Sequence, residues 1–215
     1  ADGFGKFGTL DTDEPWDCEA RRYYINIVGK YGTSVQALLK KAATLDIKTI
    51  CPLHGPILTE DLGHYIEKYD IWSSYRPENE GVTIAYASIH GNTAIAAKKM
   101  GEILEAKGQK VSMFDLSRDD MAEAIEDSFR YDKLILAAPT YDAALFPCME
   151  DFLYHLKIKN YQKRTIGIIE NGTWAPMAGK LMKAYVEQFK DCTLVEPIVT
   201  IKSTMNEDTV KVMEE

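Results

Sequence analysis

A doubly wound parallel α/β sheet is the fold that residues 81–215 predict, and three observations carry that prediction. From Gly81 onward, five short apolar runs alternate with amphipathic segments of helical period. The first run ends in a turn of hydroxyl, glycine and amide residues, Ser88-Ile89-His90-Gly91-Asn92-Thr93, that opens directly into a helical pattern. The loops after the third and fourth runs are likewise rich in small, hydroxyl-bearing and aromatic residues. Right-handed crossovers between parallel strands place helices on both faces of such a sheet.

Taken in order, Val35, Leu38, Leu39, Ala42 and Leu45 predict a helix over 34–45, because their spacing leaves one apolar face that must pack on something. Residues 47–51 read as a short strand. Pro52 and Pro56 bracket Leu53-His54-Gly55 and stiffen that loop, and a second helix is expected over 60–74. The polar, helix-breaking stretch Tyr75-Arg76-Pro77-Glu78-Asn79-Glu80 reads as a linker. It divides the chain into residues 1–75, a linker at 76–80 and a domain at 81–215. Strands are expected at 82–86, 110–114, 133–138, 165–169 and 194–200. Ala96, Met100, Ile103 and Leu104 mark the helix after the first strand, and Met177, Leu181, Ala184 and Tyr185 the helix after the fourth. A domain of this size removes about two-thirds of its unfolded surface from water, enough to fold alone.

Composition excludes several functions. The chain has 215 residues, 46% of them apolar, and a formal charge of −8, which opposes binding to a nucleic-acid backbone in the absence of a basic stripe. Lys40-Lys41 and Lys98-Lys99 read as solvated helix faces. Cys18, Cys51, Cys148 and Cys192 form no Cys-x-x-Cys pair, so they read as reduced thiols of a cytoplasmic protein rather than a zinc or disulfide framework. No apolar run approaches the ~20 residues of a membrane helix, and no leader pattern opens the chain. Ala1 in place of a methionine, and a helical pattern still running at Glu215, read as a piece of a longer protein.

A strand that feeds a Ser-x-x-Gly-Asn-Thr turn and then a helix aims free backbone N–H groups and hydroxyls at one small volume, which suits a phosphate. Neither Gly-x-Gly-x-x-Gly nor Gly-Lys-Ser/Thr is present, so a dinucleotide or a nucleoside triphosphate is not indicated. A terminal monophosphate held by neutral groups is, and flavin mononucleotide (FMN) meets that description. The same stretch also reads as an ordinary Gly-Asn turn at a helix start. Ligands of doubly wound sheets sit beyond the carboxyl ends of the strands. At that edge the third strand leads into Pro139-Thr140-Tyr141-Asp142-Ala143-Ala144-Leu145-Phe146-Pro147, and the fourth into Glu170-Asn171-Gly172-Thr173-Trp174-Ala175-Pro176. Three such loops make a slot with a phosphate end and a flat aromatic end.

Together, Ser88 to Thr93, Pro139-Thr140-Tyr141 with Leu145-Phe146-Pro147, and Asn171-Gly172-Thr173-Trp174 resemble the flavin loops of flavodiiron proteins, or A-type flavoproteins. The resemblance implies a flavodoxin-like five-stranded sheet of order 2-1-3-4-5, preceded by the end of a metallo-β-lactamase-like α/β domain. Ala1-Asp2-Gly3-Phe4-Gly5 is similar to the family segment that carries a bridging aspartate, and Pro52-Leu53-His54-Gly55-Pro56 to the one that carries the last histidine ligand. By that resemblance Asp2 bridges two irons and His54 ligates one. The family's His-x-Glu-x-Asp motif and its other histidine are missing from these 215 residues, so the polypeptide is not expected to hold a diiron centre by itself. His54 equally reads as a loop histidine between prolines.

The resemblance also assigns the FMN contacts. The phosphate falls to Ser88, Ile89, His90, Gly91, Asn92 and Thr93. The isoalloxazine edge falls to Pro139, Thr140, Tyr141, Asp142, Ala143 and Ala144, and the remaining wall to Asn171, Gly172, Thr173 and Trp174. Trp174 is either a flanking ring or an aromatic covering a loop, and Asp142 either a charge beside the flavin or a solvated carboxylate. Family members commonly carry an Asn-Asn-Gly-like turn where this chain has Asp142-Ala143-Ala144, so a left-handed residue at Ala144 is expected to be strained. The activity implied is reduction of O₂ to water or of NO to N₂O in the longer parent, electrons arriving from a rubredoxin-like or NAD(P)H-linked donor through a homodimer. Two rivals remain open on the residues alone: a flavodoxin-type electron carrier or quinone-reducing flavoprotein, and a non-catalytic module for a phosphate ligand.

Overall fold

A computed structural model describes residues 17–215, so Asp2 lies outside the described residues. Successive residues of the strands point to opposite faces, and here both faces are apolar. In β1 (Asn79–Tyr86), Val82, Ile84 and Tyr86 enter one core layer, while Ala85 enters the other, followed by Ala87. In β3 (Tyr131–Tyr141), Ile135 and Ala137 face the first layer, and Leu134, Leu136 and Ala138 the second. Helix α4 (Asn92–Ala106) and the last helix, α8 (Glu207–Glu214), cover the first face. Helices α5 (Met121–Arg130), α6 (Pro147–Ile158) and α7 (Ala178–Val186) cover the second.

The central sheet is parallel throughout. Strand β1 lies between β2 (Val111–Asp115) and β3, and β5 (Thr165–Asn171) follows β3. The outer position is shared by two short strands, β6 (Thr193–Leu194) and β7 (Val199–Ile201). In strand positions this is the expected order 2-1-3-4-5, with one correction. The run 194–200 is not one strand, because Pro197 has no N–H to give β5 and the chain leaves the ladder around it, so that Ile166 pairs with Leu194 but Ile169 with Val199. A two-residue strand, β4 (Ala144–Leu145), pairs antiparallel with the end of β3.

Upstream, helix α2 (Gly32–Ala42) and helix α3 (Leu62–Ser73) occupy nearly the expected spans. The strand expected over 47–51 does not form. Ile50 and Leu58 exchange two 2.9 Å hydrogen bonds as an isolated bridge, and Pro52 stops the run from pairing further. Helix α1 (Asp17–Tyr23), a π-helical turn over Tyr24–Val28 and a 3₁₀ turn over Gly29–Tyr31 precede α2. Their sequence, rich in aromatic and β-branched residues, has weak helix preference, and the segment is held by burial of Ala20, Tyr24 and Ile25 in the second core layer.

Glu78, in the stretch expected to be a linker, is 6% exposed at its side chain and bonded to three donors. Arg21 Nη1 reaches it at 2.9 Å, Lys68 Nζ at 2.6 Å and Trp72 Nε1 at 2.7 Å. The same Arg21 guanidinium pairs through Nε with Glu126 of α5. Burial acts to raise both carboxyls. At Glu78 the Arg21 charge and the Lys68, Trp72 and Arg21 hydrogen bonds overcome it and hold the carboxyl down at about 2. At Glu126 burial prevails over the single Arg21 pair, Asp127 adds like charge, and the carboxyl is pushed up to about 7. A group whose pKa is higher folded than unfolded stabilises below its unfolded value and loses that contribution as pH rises through its folded value. Glu126 therefore withdraws stability between about pH 4.5 and pH 7. The melting temperature of the chain is expected to fall across that window, and the slope to shrink in Glu126→Gln. Equal slopes in the two proteins, measured by calorimetry, would remove Glu126 as the cause.

Candidate functional site

Parallel strands deliver their carboxyl ends to one edge, so the segments after β1, β3, β5 and β7 share a rim. After β1, Gly91 takes φ +89°, a left-handed turn that starts the 15-residue α4. Ser88 Oγ accepts the Gly91 N–H at 3.1 Å and closes the loop. The N–H groups of Ile89, His90, Asn92 and Thr93 have no acceptor among the described residues. Ile89, His90 and Gly91 are exposed, and a Cβ placed on Gly91 would meet nothing within 4 Å. Unpaired donors at the positive end of a helix, facing open volume, are what a phosphate monoester needs.

After β3 the chain doubles back. Thr140 pairs with Leu145 and Tyr141 with Ala144, while Asp142 and Ala143 take φ +51° and +56°. Two successive left-handed residues make a type I′ hairpin turn. The strain thus falls on Asp142 and Ala143, not on Ala144 as the sequence reading expected. Aspartate tolerates that conformation better than alanine. Asp142, Ala143 and Ala144 are exposed, Pro139 is buried beneath them, and Tyr141 is half-exposed with its ring edge-on to Phe146 at 5.5 Å.

After β5, the carboxamide of Asn171 is spent on the neighbouring loops. Nδ2 donates to Ser203 O at 3.0 Å and to Thr93 Oγ1 at 3.4 Å, and Oδ1 accepts from Ser203 N at 3.1 Å. Thr173 and Ser203 share a hydroxyl contact at 3.1 Å. Gly172 must be glycine, since a Cβ would lie 2.8 Å from Pro176 Cα where the loop folds back. Trp174 beyond it is 90% exposed. Thr140 Oγ1 accepts from Met177 N at 2.8 Å and Ala178 N at 3.1 Å, and so caps α7 across the rim. Glu170 Oε2 accepts from Gly179 N at 2.7 Å and Oε1 from Thr200 at 2.8 Å.

The four segments are therefore bonded to one another, and what they leave outward is a set of backbone donors around Gly91 and the exposed rings of Tyr141 and Trp174. Sequence reasoning missed Ser203 and the loop after β7. No glycine or motif marks that loop, and Ser203 takes φ +69° where a glycine would have been a signal. His54 stands apart from the rim, its ring 5.9 Å from that of Tyr23. Among the described residues no three His, Cys, Asp or Glu side chains come together as metal ligands. No helix among them is long and apolar enough to cross a membrane, and all four cysteines are free.

A family model described as flavodoxin domain matches residues 83–201. A nitric oxide reductase of Moorella thermoacetica is 28% identical over 189 residues, 86% of this chain and 46% of that protein. The rubredoxin oxygen:oxidoreductase of Desulfovibrio gigas superposes with a TM-score of 0.88 at 18% identity, over 98% of this chain and 55% of the other. A flavodiiron protein of Giardia intestinalis gives 0.86 at 19% identity, over 99% and 55%. At those identities the structural likeness is one of fold. The chain spans half or less of the length of the curated relatives it matches.

Two substitutions test the rim's construction. Ala143→Gly relieves a left-handed alanine and is expected to add about 1 kcal/mol, raising the melting temperature by roughly 2–4 °C. A lower melting temperature would contradict the I′ turn. Thr140→Val removes the acceptor for two N–H groups at the start of α7 and is expected to cost about 1–2 kcal/mol in denaturant unfolding; an unchanged midpoint would show that α7 needs no such cap.

Proposed function

The chain belongs to the flavodoxin domain family, and from that membership we propose that residues 81–215 bind FMN and relay electrons within a longer flavodiiron oxidoreductase. The observation that carries the reading is the rim itself: unpaired N–H groups around Gly91 and two exposed aromatic rings on loops that are bonded together. In this reading the N–H groups of Ile89, His90, Asn92 and Thr93 hold the phosphate, with Ser88 and Gly91 shaping the turn. Each hydrogen bond to the charged group contributes roughly 1.5–3 kcal/mol. Tyr141 and Trp174 flank the ring system, and the hairpin Asp142-Ala143-Ala144 lines its edge. Pro139 sits under that hairpin, and Thr140, Asn171, Gly172 and Thr173 hold the loops at their spacing. Bound FMN supplies one- and two-electron transfer; the protein's part is to place it at the rim and shield one edge from water.

The parent's proposed activity, reduction of O₂ to water or of NO to N₂O, draws on the relatives' names and on the resemblance of the loops. A rubredoxin-like or NAD(P)H-linked donor supplies the electrons, and the parent works as a homodimer. Asp2 and His54 are proposed as two of its iron ligands. The present chain, lacking the others, is expected to reduce neither gas at a catalytic rate.

Purified chain stripped of ligand should take up one equivalent of FMN and show the flavin's visible absorption, and should prefer FMN to riboflavin, which lacks the phosphate. Gly91→Ala forces a side chain into φ +89°. It should weaken FMN by about tenfold, the 1–2 kcal/mol of a left-handed alanine, and leave riboflavin unaffected. Equal affinities for FMN and riboflavin in the unsubstituted chain would overturn the phosphate assignment. Absence of any flavin binding would overturn the function.

A further inference from the structure

At the opposite end of the sheet from the rim, where the strands begin, a cavity of about 460 Å³ lies between α2 and α3 on one side and the segments before β5 and β6 on the other. Its wall contains Lys157 and Lys190 but no carboxylate, in a chain whose formal charge is −8. Neither lysine ammonium has a hydrogen-bond or ion-pair partner among the described residues. The Asp70 carboxylate, which reaches the cavity-lining Gln36 at 2.8 Å, is also taken by Arg76. Thr33, in the first turn of the 11-residue α2, also lines the wall. Gln162, Gln188 and Asn160 add amides to the wall, each giving one N–H to a backbone carbonyl, of Asn160, Ala184 and Lys30 in turn, and keeping a second. A further wall residue is Tyr161, 1% exposed, whose buried hydroxyl has no partner.

Two cations beside neutral donors, in a wall without a carboxylate, give the cavity a net positive charge that an anion complements. The volume lies in the range of small-molecule sites and exceeds what one inorganic ion needs. We propose that this cavity is a second ligand site, for a small molecule bearing a diphosphate group, independent of the flavin. Lys157 and Lys190 contact the phosphates, and Thr33 and the wall amides complete the hydrogen bonding. Because α2 and α6 both contribute, the ligand also joins the N-terminal helices to the sheet.

The test is a calorimetric titration of the purified chain, with FMN in excess, against inorganic pyrophosphate and against ADP at low ionic strength. One equivalent of pyrophosphate is expected to bind, about tenfold more weakly in Lys157→Gln or Lys190→Gln and more weakly still in the double variant, as loss of a charge-assisted contact predicts. Both lysines are exposed, so folding is expected to survive their replacement, and circular dichroism checks that it does. ADP no tighter than pyrophosphate assigns recognition to the phosphates alone, and tighter ADP adds a nucleoside seat against the amides; either supports the site. Gly91→Ala should leave the pyrophosphate affinity unchanged, which separates this cavity from the flavin phosphate seat and from any failure of the flavin assignment. No binding of either anion up to about 1 mM, or equal affinity in the double variant, overturns the proposal.

Discussion

The Asn171 carboxamide is the contact on which the rim depends. It sits at the end of a central parallel strand, 7% exposed, and its two ends reach the backbone of Ser203 and the hydroxyl of Thr93. A buried amide that lost one partner would pay the desolvation of an unsatisfied polar group, so its bonds lock the loops after β1, β5 and β7 at one spacing. Thr140 does the same between β3 and α7. Side chains that look like ligand contacts in the sequence thus become the frame, and backbone N–H groups and exposed rings are what the rim leaves outward. That division suits a cofactor held for electron transfer, since preorganised donors need no rearrangement when it binds.

Much of the fold was legible because parallel strands covered on both faces leave apolar runs that stand out between amphipathic helices. Four of the five runs became single strands and the fifth became two, and the segments that follow the strands reached one edge because the strands run parallel. What was not legible depended on tertiary partners. The π-helical turn over 24–28 is held by Tyr24 and Ile25 in the core, against its local preference. The expected strand at 47–51 had the composition of a strand but no neighbour to pair with beyond Leu58. The last strand read as continuous because one proline in seven residues is easily passed over, yet Pro197 splits it. At the site, the hairpin was foreseen as strained but one residue late, since the register of the turn is set by the pairing of Tyr141 with Ala144. Ser203 left no trace in the sequence at all.

Glu78 shows how a polar stretch can mislead. Composition makes residues 75–80 a tether, but three donors converge on that one carboxylate, and Arg21 carries the connection on to Glu126. Arg164 adds a second tie, giving N–H groups to the carbonyls of Tyr75 at 2.8 Å and of Tyr131 at 2.6 Å. Breaking a buried pair of this kind costs about 3–5 kcal/mol because a charge is left behind without a partner. The N-terminal helices are therefore fastened to the second face of the sheet through α5 by specific polar contacts as well as by the shared core.

The same logic bears on Asp142, the one acid at the rim's hairpin. A carboxylate beside a flavin opposes its reduction, because reduction adds negative charge, and in a buried site at about 4 Å the penalty reaches ~4 kcal/mol. Asp142 is not in such a site. The I′ turn puts it at the exposed apex with φ +51°, where water surrounds the group and the interaction falls toward ~1 kcal/mol even at that distance. An aspartate at this position is thus explained by the backbone: it accepts the left-handed conformation that the turn demands, and solvent removes most of the electrostatic consequence. Ala143 beside it has no such excuse, so the hairpin carries most of its strain in an uncharged residue.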